Sequence, residues 1–173
     1  MTFWEEAKQS TTAALQLARF DTAGMAGFNN SLDGFWRSFG AAILLAPFSA
    51  IIVLLLRNDM GIDGAPLLTL SILEYLLSWV AIPIVMIPVT IFLGLTDRYV
   101  LFVIAYNWSA TVQVGLFFLA TMLAEVGLLS GDADTLLRII IAPLYVLTYL
   151  TFIARSALSI PWITAVAIVM LDF

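Results

Sequence analysis

Five stretches of this chain, residues 38–56, 75–96, 99–124, 139–154 and 156–171, contain no Asp, Glu, Lys or Arg. A helix needs about 20 mainly apolar residues to cross the hydrocarbon core of a bilayer. Four of the five stretches approach or exceed that length once their flanks are included. The pattern predicts an all-α, polytopic transmembrane helical bundle of about five spans. Only 11% of the 173 residues are charged and the mean hydropathy is +1.06. Ordinary soluble domains carry roughly 25% charged residues, so a separate water-facing domain does not fit within this length.

The organisation follows from where polar residues cluster. Residues 1–34 are expected to form a cytoplasmic amphipathic helix and a loop. Phe3, Trp4, Ala7, Thr11, Ala14, Leu15 and Ala18 recur at helical spacing. Glu5 and Glu6 suit the positive end of the helix dipole, and Trp4 suits the headgroup level. The Gly- and Asn-rich run FDTAGMAGFNNSLDG reads as a loop. Residues 35–173 form the transmembrane domain, with spans near 35–56, 67–95, 99–129, 136–156 and 160–173. Pro83 and Pro88 should kink the second span, and Pro47 the first. The fifth span, from Ile160 to Phe173, would rise only about 21 Å as a helix. Leu171-Asp172-Phe173 carries no terminating signal, which reads as a chain cut short.

Lys and Arg set the orientation. With the N-terminus inside, Lys8, Arg19, Arg37, Arg98 and Arg155 face the cytoplasm, while Arg57 and Arg138 face out. That asymmetry predicts a cytoplasmic N-terminus. Cys and His are both absent. Their absence removes disulfides, thiolate chemistry, imidazole-held metals and any Ser-His triad, so no cofactor, metal or catalytic residue is expected. No Walker loop or nucleophile elbow is present either, and an enzyme is not expected. A net charge of −5 argues against nucleic acid, which needs a basic footprint.

The candidates for function are the polar groups inside the apolar runs, because lipid makes each one costly. Glu74, Ser78, Tyr106, Asn107, Gln113 and Glu125 form a candidate intramembrane polar site. Ser71, Glu74 and Ser78 share a helix face, and Glu74 and Glu125 should lie in the same outer half of the bilayer, where two carboxylates could bind a cation or share a proton. The blander alternatives are a protonated Glu74 bonded to Ser78 or Tyr75, a Glu125 that reaches the interface, and an Asn107 that serves as interhelical glue. Glu74→Gln should impair function more than Glu125→Gln. Ser38, Ala42, Ala46 and Ala50 make a small-residue packing stripe. Arg37 and Arg155 are candidate contacts for lipid phosphates, with Asp33 and Asp97 as alternative partners.

Asp33-Gly34-Phe35-Trp36, before the first span, resembles the D-x-Y-G-P-F-W-like segment of the Yip1 family of five-span membrane proteins, without its Tyr and Pro. Ala105-Tyr106-Asn107-Trp108-Ser109 resembles that family's G-Y-S-like segment on the third span only at Tyr106, with Ala105 in the Gly position. The resemblance implies a cytoplasmic N-terminal region and five clustered spans. In eukaryotic members it implies vesicle trafficking and binding of small GTPases; bacterial relatives have no agreed function. Compact loops suit a bacterial inner-membrane protein. Two functions follow as expectations: an interaction or accessory subunit, or a small oligomeric transporter or channel. Its partners would be membrane lipids and either copies of itself or a larger membrane complex.

Overall fold

The computed structural model describes residues 2–60 and 65–171. All regular elements among these residues are helical. In order they are α1 (Phe3–Leu17), a 3-10 turn (Thr22–Gly27), α2 (Leu32–Ser38), α3 (Gly40–Met60), α4 (Ala65–Phe92), α5 (Tyr99–Glu125), α6 (Gly131–Leu136), a π turn (Leu137–Ile141), α7 (Ala142–Leu158) and α8 (Trp162–Val169). Four continuous stretches are long and apolar enough to cross a membrane: Leu32–Leu56, Thr69–Phe92, Thr96–Glu125 and Gly131–Leu158. By length and composition this is a membrane protein. The fifth expected span is represented by α8, whose eight residues rise only about 12 Å. The reading of the chain end at Asp172-Phe173 lies outside the described residues, as does the Gly61–Gly64 part of the loop between the first two spans.

Local chemistry accounts for the boundaries. Thr2 caps α1: its hydroxyl accepts from the Glu5 N–H, and its own N–H donates to Glu5 Oε2 at 2.7 Å. The second bond holds the exposed Glu5 carboxyl below its usual range. Ser31 caps α2 by accepting the Gly34 N–H at 3.0 Å, so the first span starts at Leu32 rather than near 35. The third span stops at Glu125 rather than 129, because Gly127 (φ +74°) turns the chain left-handed. The fourth starts early, at Gly131, with Asp132 and Asp134 in its first turn. Its π turn lies just before Pro143. The proline ring cannot bond to the carbonyl one turn back and clashes with it, and a widened turn relieves both faults.

The core is concentrated at one end of the bundle. Leu17 of α1, Phe102 to Ala105 and Trp108 of α5, and Tyr149 to Ala154 of α7 are buried together there. Helix α1 therefore packs along the bundle. Tyr149 and Tyr145 donate to its Ala14 and Ala18 carbonyls at 2.9 and 2.7 Å. The buried face of α1 is Glu6, Ala7, Ser10, Ala13, Ala14 and Leu17, which includes Ala7 and Ala14 of the expected apolar stripe. Trp4 and Leu15 of that stripe are exposed. The segment expected as a loop is ordered against α1: a Cβ on Gly24 would meet the Ala13 carbonyl oxygen at 2.6 Å.

The other end is open. From Thr69 to Ala81, no residue of α4 is buried; its buried residues are Ile82, Pro83, Met86 and Thr90, all in its second half. Helix α4 is pinned by two tyrosine hydroxyls beside proline-interrupted backbone. Tyr99 donates to the Pro83 carbonyl at 3.0 Å. Tyr75 donates to Ala42 of α3 at 2.6 Å, next to Ile43, whose carbonyl Pro47 cannot serve.

Candidate functional site

Where α4 leaves α3, a lateral groove opens between them. Ala46, Ser49, Ala50 and Val53 of α3 face Ser71, Ile72, Tyr75 and Leu76 of α4 across a volume of about 350 Å³. Behind Ser49 and Tyr75 lies a second cavity of about 290 Å³. Ser78 and Trp79 of α4 line it with Tyr106, Asn107, Ala110 and Gln113 of α5. The two spaces share Ser49 and Tyr75. Together they run from small and apolar residues to amide and hydroxyl groups.

Four of the six expected site residues, Ser78, Tyr106, Asn107 and Gln113, therefore line one cavity. Helical spacing accounts for the α5 contribution: Tyr106, Ala110 and Gln113 recur at four and three residues. Gln113 donates to Ser109 Oγ at 3.0 Å, and Ser109 donates to the Tyr106 carbonyl at 2.6 Å. Asn107 is 1% exposed and donates from Nδ2 to Ser38 Oγ at 2.9 Å. The Ser38 hydroxyl hydrogen is committed to the Phe35 carbonyl at 2.7 Å. Asn107 must therefore present its NH₂ to Ser38, which fixes the amide orientation. Its Oδ1 is buried and accepts no hydrogen bond among the described residues, and the indole N–H of Trp108 next to it is likewise unpaired. Buried polar atoms are rarely left so.

The two carboxylates lie elsewhere. Glu74 and Glu125 are exposed, neither lines the cavity, and no hydrogen bond or ion pair joins them among the described residues. Glu74 is not held by Ser78 or Tyr75 either: Ser78 donates to the Tyr75 carbonyl, and Tyr75 donates to Ala42. Ser71 and Ser78 line the groove and the cavity. Glu74 shares their side of α4 by helical spacing but lines neither the groove nor the cavity.

The small-residue stripe turns from core to groove. Ser38 is buried against Asn107, while Ala46 and Ala50 line the groove. Of the two candidate arginines, Arg37 is occupied by carboxylates, with Asp33 at 3.0 Å and Glu6 at 3.3 Å. Arg155 makes no ion pair among the described residues and lies 5.0 Å from the centre of the Trp162 ring. Its alternative pairing with Asp97 is not formed.

Sequence reasoning missed Glu6, which is 1% exposed. It takes Arg37 on Oε2, while Asn29 Nδ2 reaches Oε1 at 3.4 Å. Ser49 and Trp79 were also missed as lining residues, and Tyr75 was named only as a partner for Glu74. No family model matches this chain, and no curated protein or solved structure matches it.

Proposed function

We propose that this chain is a non-enzymatic integral membrane protein of the interaction type, an accessory subunit whose α3–α4 groove receives a transmembrane helix of a larger complex. Glu74 carries this reading. It stands exposed in the apolar body of a spanning helix, on the face of α4 that also carries Ser71 and Ser78, with no ion-pair partner among the described residues. A carboxylate within a span normally faces protein, water or a counter-charge. A partner helix carrying Lys, Arg or another donor at that depth would supply what Glu74 lacks. Ala46, Ser49 and Ala50 would let its backbone approach closely, and the Asn107 Oδ1 would accept a hydrogen bond from it.

The Lys and Arg distribution supports a cytoplasmic N-terminus, and the exposed Trp4 of α1 supports a headgroup-level position for that helix. A bacterial inner membrane and the Yip1-like resemblance belong to the same proposal. The transporter or channel alternative draws on the unpaired Asn107 acceptor, which a permeant donor could also use. Against it, Glu74 and Glu125 stand outside the cavity rather than along a shared path.

A photo-crosslinking residue at Ala50, used in native membranes, tests the proposal. The expected product is a stoichiometric adduct with one other membrane protein. Glu74→Gln should lower its yield about tenfold, the effect of losing roughly 1.4 kcal/mol of coupling, and Glu125→Gln should leave it unchanged. Adducts with lipid alone, or equal yields from both carboxylate variants, would sink the proposal. Proteoliposome flux abolished by Glu74→Gln would favour the transporter instead.

A further inference from the structure

The spanning stretches and their ends hold four arginines whose side chains are described, and these fall into two pairs. Arg37 and Arg138 each have a carboxylate within ion-pair distance, at 3.0 and 2.5 Å. Arg98 and Arg155 have none among the described residues, and the fold brings these two to one place. Arg98, at the start of α5, donates to Ser159 Oγ at 2.5 Å. Ser159 follows α7 in a left-handed conformation (φ +53°), and with Arg155 and Ser156 it lines a cavity of about 360 Å³. Thr22, Met25 and Ile160 complete the lining.

Three features of this cavity suit an anion. The Nε of Arg155 is buried without a hydrogen-bond partner, while the Trp162 ring steadies the guanidinium from one side. The Ser156 hydroxyl is also buried and unpartnered. That is unusual in this chain, where helical hydroxyls such as those of Ser78, Thr90, Thr121 and Thr151 donate back to a carbonyl three or four residues earlier. Finally, the nearby carboxylates do not answer the arginines. Asp21 accepts the Ala23 N–H at 2.9 Å, and Asp97 is exposed and forms no ion pair with either.

We propose that this cavity binds a phosphate group, held by Arg155 and Ser156 with Arg98 at its rim. A phosphate offers several charged acceptors to a guanidinium and a hydroxyl. That chemistry is the same whether it belongs to a phospholipid headgroup at the membrane surface or to free phosphate.

The test uses the full chain in dodecyl maltoside, which contains no phosphate. Inorganic phosphate is titrated at constant ionic strength in one arm, and phosphatidic acid in mixed micelles in the other, with diacylglycerol as the neutral control. Tryptophan emission and the unfolding midpoint are followed. A saturable change is expected with phosphatidic acid, with inorganic phosphate or with both, and none with diacylglycerol. Response to phosphatidic acid alone assigns the lipid source, and response to inorganic phosphate assigns the free source. Arg155→Gln should raise half-saturation at least tenfold and Ser156→Ala about threefold, while Arg19→Gln, at an exposed turn just after α1, should leave it unchanged. Because Arg155→Gln also removes the contact with Trp162, Ser156→Ala provides the safer fold: its hydroxyl has no partner to lose. No response in either arm, or wild-type half-saturation in both variants, overturns the proposal.

Discussion

Replacing Glu6 with alanine should loosen α1 from the bundle and cost about 1.5–3 kcal/mol, the range of a hydrogen bond to a charged partner. The unfolding midpoint in detergent and protease cleavage within residues 1–31 both report it. Glu6 is almost fully buried and receives both Arg37 and Asn29. Removing one member of a fully buried pair costs about 3–5 kcal/mol, because the other charge is stranded. Here Arg37 is only half-buried and keeps Asp33, so the effect should fall below that range. Gly34→Ala should match or exceed it by a different route. A Cβ there would lie 2.0 Å from the Asn29 carbonyl oxygen, a backbone atom that cannot swing aside. Asn29 would have to move, and with it the Asn29–Ser31–Gly34 cap and the contact with Glu6. A Glu6→Ala, Gly34→Ala double variant should lose much less than the sum, since both act on one junction. Strict additivity would show that the two residues hold separate parts of the fold.

This junction marks the limit of what the sequence made legible. The absence of charge over 75–96 and 99–124 locates spans well, because the cost of charge in lipid acts on every residue of a span. The buried face of α1 is harder. In water, the larger apolar residues of an amphipathic helix mark its core side. In a chain with this much exposed apolar surface, Trp4 and Leu15 can face outward while Ala7, Ser10, Ala13 and Ala14 face in. Small size, which permits close approach, then marks the buried side more reliably than hydropathy. The same confusion affected the glycines of residues 24–34. Glycine suggests a loop when only its backbone freedom is considered, yet Gly24 and Gly34 lie where a neighbouring backbone leaves no room for Cβ. For the candidate site, intramembrane polarity singled out Asn107 and Gln113 but gave no measure of depth within the bundle. It therefore grouped them with Glu74 and Glu125, which the helix faces carry elsewhere.

Asn107→Leu should separate packing from partner binding. The substitution removes the bond to Ser38, and an interhelical polar contact of this kind contributes about 0.6 kcal/mol. It also removes the buried Oδ1, whose unsatisfied burial costs about 1–3 kcal/mol. Ser38 is not orphaned, because its hydroxyl still donates to the Phe35 carbonyl. The protein alone should therefore be unchanged or more stable by about 1 kcal/mol, the difference between those two contributions. Association should move the other way. If a partner helix donates to Oδ1 through the cavity behind the groove, losing that bond should weaken co-isolation in mild detergent about threefold, the effect of the same 0.6 kcal/mol or so. Unfolding midpoint and partner yield are to be read from the same preparation. A more stable protein that no longer retains its partner would mean that Asn107 is kept for what enters the groove. A protein destabilised as strongly as Glu6→Ala, with its partner retained, would make Asn107 interhelical glue and remove the groove's acceptor.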